Sequence, residues 1–322
     1  MTNFATYIDS ANDRAPIAPR GRAKQKRTDL RLVGLALVVT RDGGVPVVSH
    51  AYPGDRPDVT QFPTVIDELV TRYRALNTPM ESLTVVYDAG QNSADNHALI
   101  EESGLGFVGS LPPSDHPDLL AIPRKTYVAV DADHYPGLRC VDTEVTALGV
   151  TRRAVLTHSA PLHAAQSRGF DQTLAKARKR LTELQTRLAR GNTRRDRDAV
   201  QADIAAILTP RWVHEVLTVT LTGQTPPEFR LTFRTDTTAR KKLEDKIFGK
   251  RILFTNRTQW SVAEVVAAYR SQSEVEAGFR QQKDPHVVSF GPVSYTHLRA
   301  HETVLDLVCR LLLEQKTNLM LM

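Results

Sequence analysis

Cysteine is scarce: the 322 residues hold two, Cys140 and Cys309. That is too few for a disulfide framework or a thiolate zinc site, and it fits a reducing cytosol. Long apolar runs are missing as well. The longest early one, Val33 to Val39, falls far short of the roughly 20 residues that cross a bilayer, so it reads as a buried strand and no membrane role follows. No signal peptide is visible, and no internal repeat of roughly 20–50 residues is found.

What is present is a globular composition, with 41% hydrophobic residues and a formal net charge of +6. The excess of cations favours a polyanionic partner. A dense basic run holds Arg20, Arg22, Lys24, Lys26 and Arg27 and lacks periodicity. Such a loop tracks a phosphate backbone without reading bases, or is simply solvated.

The alternation of signals predicts an α/β core. Leu32–Thr40 and Val45–His50 flank Asp42-Gly43-Gly44 as a β-hairpin, read as the first element. Phe62–Leu76 is helical in period, and Leu83–Tyr87 is a short strand that stops at Asp88. Ser93 caps a helix that Gly104 ends, and Gly106–Leu111 returns as a strand, giving a β-α-β pattern around Asp88. After a proline-broken stretch, strands are expected at Thr126–Val130, Arg139–Leu148 and Arg153–His158. A helical hairpin follows over Leu162–Leu208, with Leu174, Leu181, Leu184 and Leu188 as its seam and an exposed basic face. Strands return at Trp212–Leu221, Phe229–Arg234 and Lys250–Thr255. Ser261 with Glu264 then starts a long helix by a capping box. Asp131, Asp133 and His134 read as a turn rather than a metal cluster.

On that last helix, Tyr269, Gln272, Glu276, Phe279 and Lys283 fall on one stripe. A carboxylate and a lysine two turns apart suit a site that holds a divalent cation and steadies a phosphate, although an ordinary charged helix surface has the same spacing. The segment resembles the Tyr-Arg-Glu-Lys signature of bacterial insertion-sequence DDE transposases of the insertion-sequence-four-like group: Tyr269, Glu276 and Lys283 match in register, and Gln272 stands where the family has Arg. Arg270 and Arg280 are the cations available to replace that Arg. The run Val85–Ser93 resembles the segment of the family's second catalytic Asp, at Asp88, and the likeness extends over most of Thr2–Pro292.

The resemblance implies a ribonuclease H-like core, a mixed sheet with flanking helices, interrupted by a large insertion of β-strands plus a helical hairpin. It divides the chain into a first core part over 1–112, an insertion over 113–248 and a last strand with the Glu-bearing helix over 249–292. It also implies Mg²⁺- or Mn²⁺-dependent cleavage at the ends of an insertion sequence and strand transfer into target DNA. Asp88 and Glu276 would hold metal, and Tyr269 and Lys283 would touch the DNA backbone. The implied partner is double-stranded DNA bound by a homodimer, at the bacterial nucleoid. The family's first Asp precedes a Thr-Asn-Phe-like run, and here the chain opens Met1-Thr2-Asn3-Phe4, which puts that Asp just before Met1; Asp9 and Asp13 are the less favoured stand-ins, Asp9 falling several residues too late. The chain is therefore expected to be inactive as it stands. The rival readings are a remnant that binds DNA without cutting it, and a nuclease of the same fold that cuts without joining. Residues 293–303 read codon by codon as a translated sequencing adapter and Leu307–Leu313 fit its continuation in the same frame, so 293–322 are expected not to be biological and Cys309 and the leucine run carry no weight.

Overall fold

The structure, a computed structural model, describes residues 1–6, 16–21, 28–191 and 195–284. Two compact units divide these described residues: those within 1–111, 142–155 and 253–284 form the first, and those within 112–141 and 156–252 the second.

The first unit opens with β1 (Thr2–Thr6), β2 (Arg31–Val39) and β3 (Pro46–Pro53), an antiparallel sheet in which β2 is central. The predicted hairpin is β2–β3. Its turn closes through Thr40, which bonds Val45 by backbone and hydroxyl alike, and Gly43 and Gly44 both take positive φ. The hairpin is not the first element, however. β1 precedes it, with Thr2 opposite Leu35. Its sequence, TNFAT, lacks the apolar alternation that marks a strand.

Helix α1 (Asp58–Ala75) packs on β2 and β3 and buries Phe62, Val65, Ile66, Leu69 and Val70. Pro63 lies inside it, and having no N–H it leaves the Val59 carbonyl without its helical donor. Asn96 supplies the missing donor, Nδ2 to Val59 O at 3.2 Å. Next come β4 (Thr84–Val86), α2 (Ala94–Glu102) and β5 (Gly106–Leu111). β4 and β5 are parallel, and every residue of β5 is buried, as a core strand requires. Ser93 caps α2 by accepting from Asn96 N. At the other end Gly104, at φ +74°, allows its own N–H to bond Glu101 O and that of Leu105 to bond Ile100 O.

The second unit begins with α3 (Pro117–Leu120) and the short β6 (Val128–Ala129), shorter than the predicted Thr126–Val130. β6 pairs antiparallel with the start of β7 (Leu138–Ala147), which turns through Leu148-Gly149, both at positive φ, into β8 (Val150–Ser159). Helices α4 (Ala160–Ala189) and α5 (Arg197–Leu208) form the predicted hairpin. The leucine seam faces inward: Leu174, Leu181, Leu184 and Leu188 are buried in one cluster with Val200, Phe229, Leu231 and Phe248. Lys176, Arg178, Lys179, Arg180, Arg187 and Arg190 are left exposed.

Here the structure corrects one expected strand. Trp212 takes φ +65° and starts a helical turn, α6 (Val213–Val216), so that β9 spans only Leu217–Thr222. The Trp212 ring lies 5.5 Å from that of Phe248 and 6.3 Å from that of Phe170, packing that holds a backbone conformation L residues rarely adopt. β9 pairs with β10 (Arg230–Thr235), and an unpredicted helix α7 (Thr237–Ile247), capped by Asp236, leads into β11 (Lys250–Thr255).

In the first unit, β4, β5, the Leu253–Thr255 end of β11 and the adjoining parts of β8 and β7 stand in one sheet in that order. Asn256 prolongs the β5 ladder with its side chain, accepting from Phe107 N at 2.9 Å and donating to Leu105 O at 3.1 Å. Then comes α8 (Val262–Arg270), with the predicted Ser261–Glu264 capping box. It does not continue through Glu276 as one helix. At Ser271 the backbone steps to ψ −8°, and a second helix, α9 (Gln272–Lys283), begins. Serine hydroxyls compete here for helical carbonyls, Ser271 Oγ donating to Ala268 O and Ser273 Oγ to Arg270 O. The stripe is broken, with Tyr269 on α8 and Gln272, Glu276, Phe279 and Lys283 on α9.

Candidate active site

Asp88 stands where β4 ends, as the sequence predicts. It caps a 3-10 turn, Ala89–Gln91, with Oδ1 accepting from Gly90 N at 3.0 Å. The residue before it is anchored deeply: Tyr87 is 7% exposed, its hydroxyl lies 2.9 Å from His97 Nε2, and its ring meets those of Phe62 and Phe107. Burial pushes the Tyr87 hydroxyl pKa far up, with Glu101 adding to it, so the group stays neutral. Burial also lowers the His97 pKa, Glu101 opposing and Arg152 assisting. Two neutral buried groups thus fix the backbone from which an exposed carboxylate projects. Asn96, 3% exposed, ties the turn down by donating to Gln91 O at 2.8 Å while it serves Val59.

Glu276 is exposed on α9, which packs against β2 and α8 and buries Phe279 beneath. Asp88 and Glu276 open onto the same cavity of about 1120 Å³, bounded by β1, β2, α1, β4 and α9. Lys283 and Arg280 share its lining, as do Met1, Thr2 and Gln272. Lys283 Nζ donates to Thr2 Oγ1 and lies 5.4 Å from the Phe4 ring centroid, which ties the end of α9 to the start of β1.

Other predicted residues go elsewhere. Tyr269 is 8% exposed in the core and is not part of the lining, because the helix break separates it from the α9 face. Arg270 is exposed outside the cavity, and Arg20 is exposed in a bridge to Arg31. Arg22, Lys24, Lys26, Arg27, Asp9, Asp13 and the stretch 293–322 lie outside the described residues. Residue-by-residue reading passed over Arg41, which follows β2, and Asp284, which follows α9; both line the cavity. Position at an element's end was the one signal they gave.

A cation used in phosphodiester chemistry takes several oxygen ligands. Among the described residues no three His, Cys, Asp or Glu side chains come together to hold a metal. Asp88 and Glu276 do not by themselves make such a group. Nor do Asp131, Asp133 and His134: the imidazole pairs with Asp131 at 2.9 Å, and that hydrogen bond lowers the Asp131 pKa in an exposed turn.

Residues 6–287 match a family model described as a transposase DDE domain. The chain belongs to that family. The mixed α/β architecture, a mixed sheet flanked by helices, fits the ribonuclease H-like fold of a DDE transposase. Transposase function and DNA as the partner class follow from membership. No curated protein matches the chain. Among the described residues no helix is long and apolar enough to cross a membrane.

Proposed function

We propose that the protein is an insertion-sequence transposase of the Tyr-Arg-Glu-Lys group, in which Asp88 and Glu276 are two of the catalytic carboxylates. The observation that carries this is the shared cavity: a carboxylate at the end of β4 and another on α9, distant in sequence, open beside Lys283 and Arg280. In this reading the two cations face DNA phosphates and balance charge that develops at the cleaved bond. Tyr269 supports α8 by packing. Arg270 and the basic run around Arg20 are proposed to hold DNA further from the chemistry. A divalent cation, Mg²⁺ or Mn²⁺, is the family's usual means of activating an oxygen nucleophile.

The cavity end of β1 presents Met1 and Thr2. We infer that an Asp placed directly before Met1, at the cavity end of β1, would add a carboxylate to the lining that Asp88 and Glu276 share. The core is proposed to comprise 1–112 and 249–292, with 113–248 inserted, two copies holding two DNA ends near the nucleoid. The alternative, a remnant that binds DNA without cutting it, is favoured by one observation: no three acidic side chains cluster among the described residues. The test incubates the Asp-extended chain with the element's end duplex and a target plasmid. Joined products support the transposase; nicks without joining point to a nuclease; binding without either supports the remnant.

A further inference from the structure

The second unit holds a cavity of its own, about 580 Å³, that the proposed chemistry does not use. Four cations line it: Arg124, Lys242, Lys246 and Lys250, with Asp245 as the one acid. Lys242 and Lys246 lie one turn apart on α7 and are exposed, as is Arg124. Lys250 is different, being 5% exposed at the start of β11. Its ammonium donates to Leu120 O at 2.8 Å, one of the three bonds such a group can make. Burying an ammonium costs free energy that an anion beside it offsets. Burial, then Arg124, lowers the Lys250 pKa, and Arg124, His163, Lys250 and Arg139 together act with burial to lower that of nearby His158. Positive charge is therefore concentrated inside this unit. Asp245 offers only partial compensation, at 3.7 Å from Arg124 and exposed.

We propose that this pocket seats a backbone phosphate of DNA, an inference that rests on the reading of the protein as a DNA-acting transposase. The lining has no aromatic ring to stack a base and no amide or hydroxyl side chain to read a base edge. It offers cations over an apolar wall from α3 and the Ile122-Pro123 turn, which suits a phosphate with its deoxyribose and predicts contact without sequence preference. Exchange of Arg124 from Asp245 to the phosphate accompanies binding.

The test measures affinity of the full chain for a labelled random-sequence duplex between about 50 and 200 mM salt, for the parent and for Lys242→Ala/Lys246→Ala. Two lost phosphate contacts make the slope of log K against log salt shallower by about 1.8, so the variant's affinity falls about twelvefold less across that range. Asp245→Asn is expected to tighten binding. An unchanged slope with intact DNA binding overturns the pocket and leaves the transposase reading standing; a parent chain that binds no DNA removes both. In a parallel arm, inorganic phosphate is titrated while thermal stability is read. Stabilisation by phosphate that the double variant loses, with an unchanged DNA slope, would make this a small-anion site and overturn the DNA assignment.

Discussion

Asn96 carries two jobs on one amide, and its removal is expected to be felt at both. Its Nδ2 donates to Val59 O, the carbonyl that Pro63 deprives of a helical partner, and to Gln91 O in the turn that Asp88 caps. Asn96 itself is 3% exposed, which restricts the access of water to the vacated position. Leaving one buried and one part-buried carbonyl short of one bond each costs about 2–3 kcal/mol in Asn96→Ala. Part of this cost has a specific remedy. Pro63→Ala restores an N–H at the position whose helical acceptor is Val59 O, so in that background Asn96→Ala is expected to cost about 1 kcal/mol less. Urea denaturation of the four proteins of this double-mutant cycle gives the coupling directly. A penalty that is the same in both backgrounds, or an Asn96→Ala effect under about 0.5 kcal/mol, refutes the argument.

Gly109→Ala places a Cβ 2.6 Å from the Phe254 ring and 3.0 Å from the Tyr87 ring, inside a fully buried strand. Overpacking of that kind is expected to cost about 1–3 kcal/mol by urea denaturation and to weaken cleavage by shifting the residue beside Asp88. His158 titrates at about 4 in the fold, held down chiefly by burial and then by Arg124, His163, Lys250 and Arg139. The unfolded chain binds that proton first, so stability is fully present above about pH 6.5 and is lost as pH falls toward 4. His158→Gln is expected to flatten the pH dependence of the urea midpoint over that window, and a parallel curve would refute this.

The parts legible in the sequence were those with local chemistry behind them. Asp42-Gly43-Gly44 between apolar runs yields the β2–β3 hairpin, and Ser93 and Ser261 cap the helices they announce. Elements set by tertiary context were not legible. β1 has no apolar alternation and owes its place to pairing with β2. α7 hides in a charged run whose buried anchor is Leu243. Trp212 adopts its left-handed conformation because of the rings around it, and β-branched Val213 and Val216 beside it read as strand. Of the candidate site, the positions of its two carboxylates on their elements were legible. Asp88 at a strand end and Glu276 on a helix face follow from pattern and family likeness, and both reach one cavity. The single stripe failed at Ser271: a break of one residue moves Tyr269 into the core while Lys283 reaches back to Thr2.

The central claim is that Asp88 and Glu276 act together in one cavity. Nicking of supercoiled plasmid in Mn²⁺ tests it most directly, comparing the chain carrying an Asp directly before Met1 with its Asp88→Ala and Glu276→Ala variants. Each variant is expected to lose at least about a hundredfold in nicking rate while binding the plasmid as the parent does. A Glu276→Ala protein that nicks at the parent rate would contradict it.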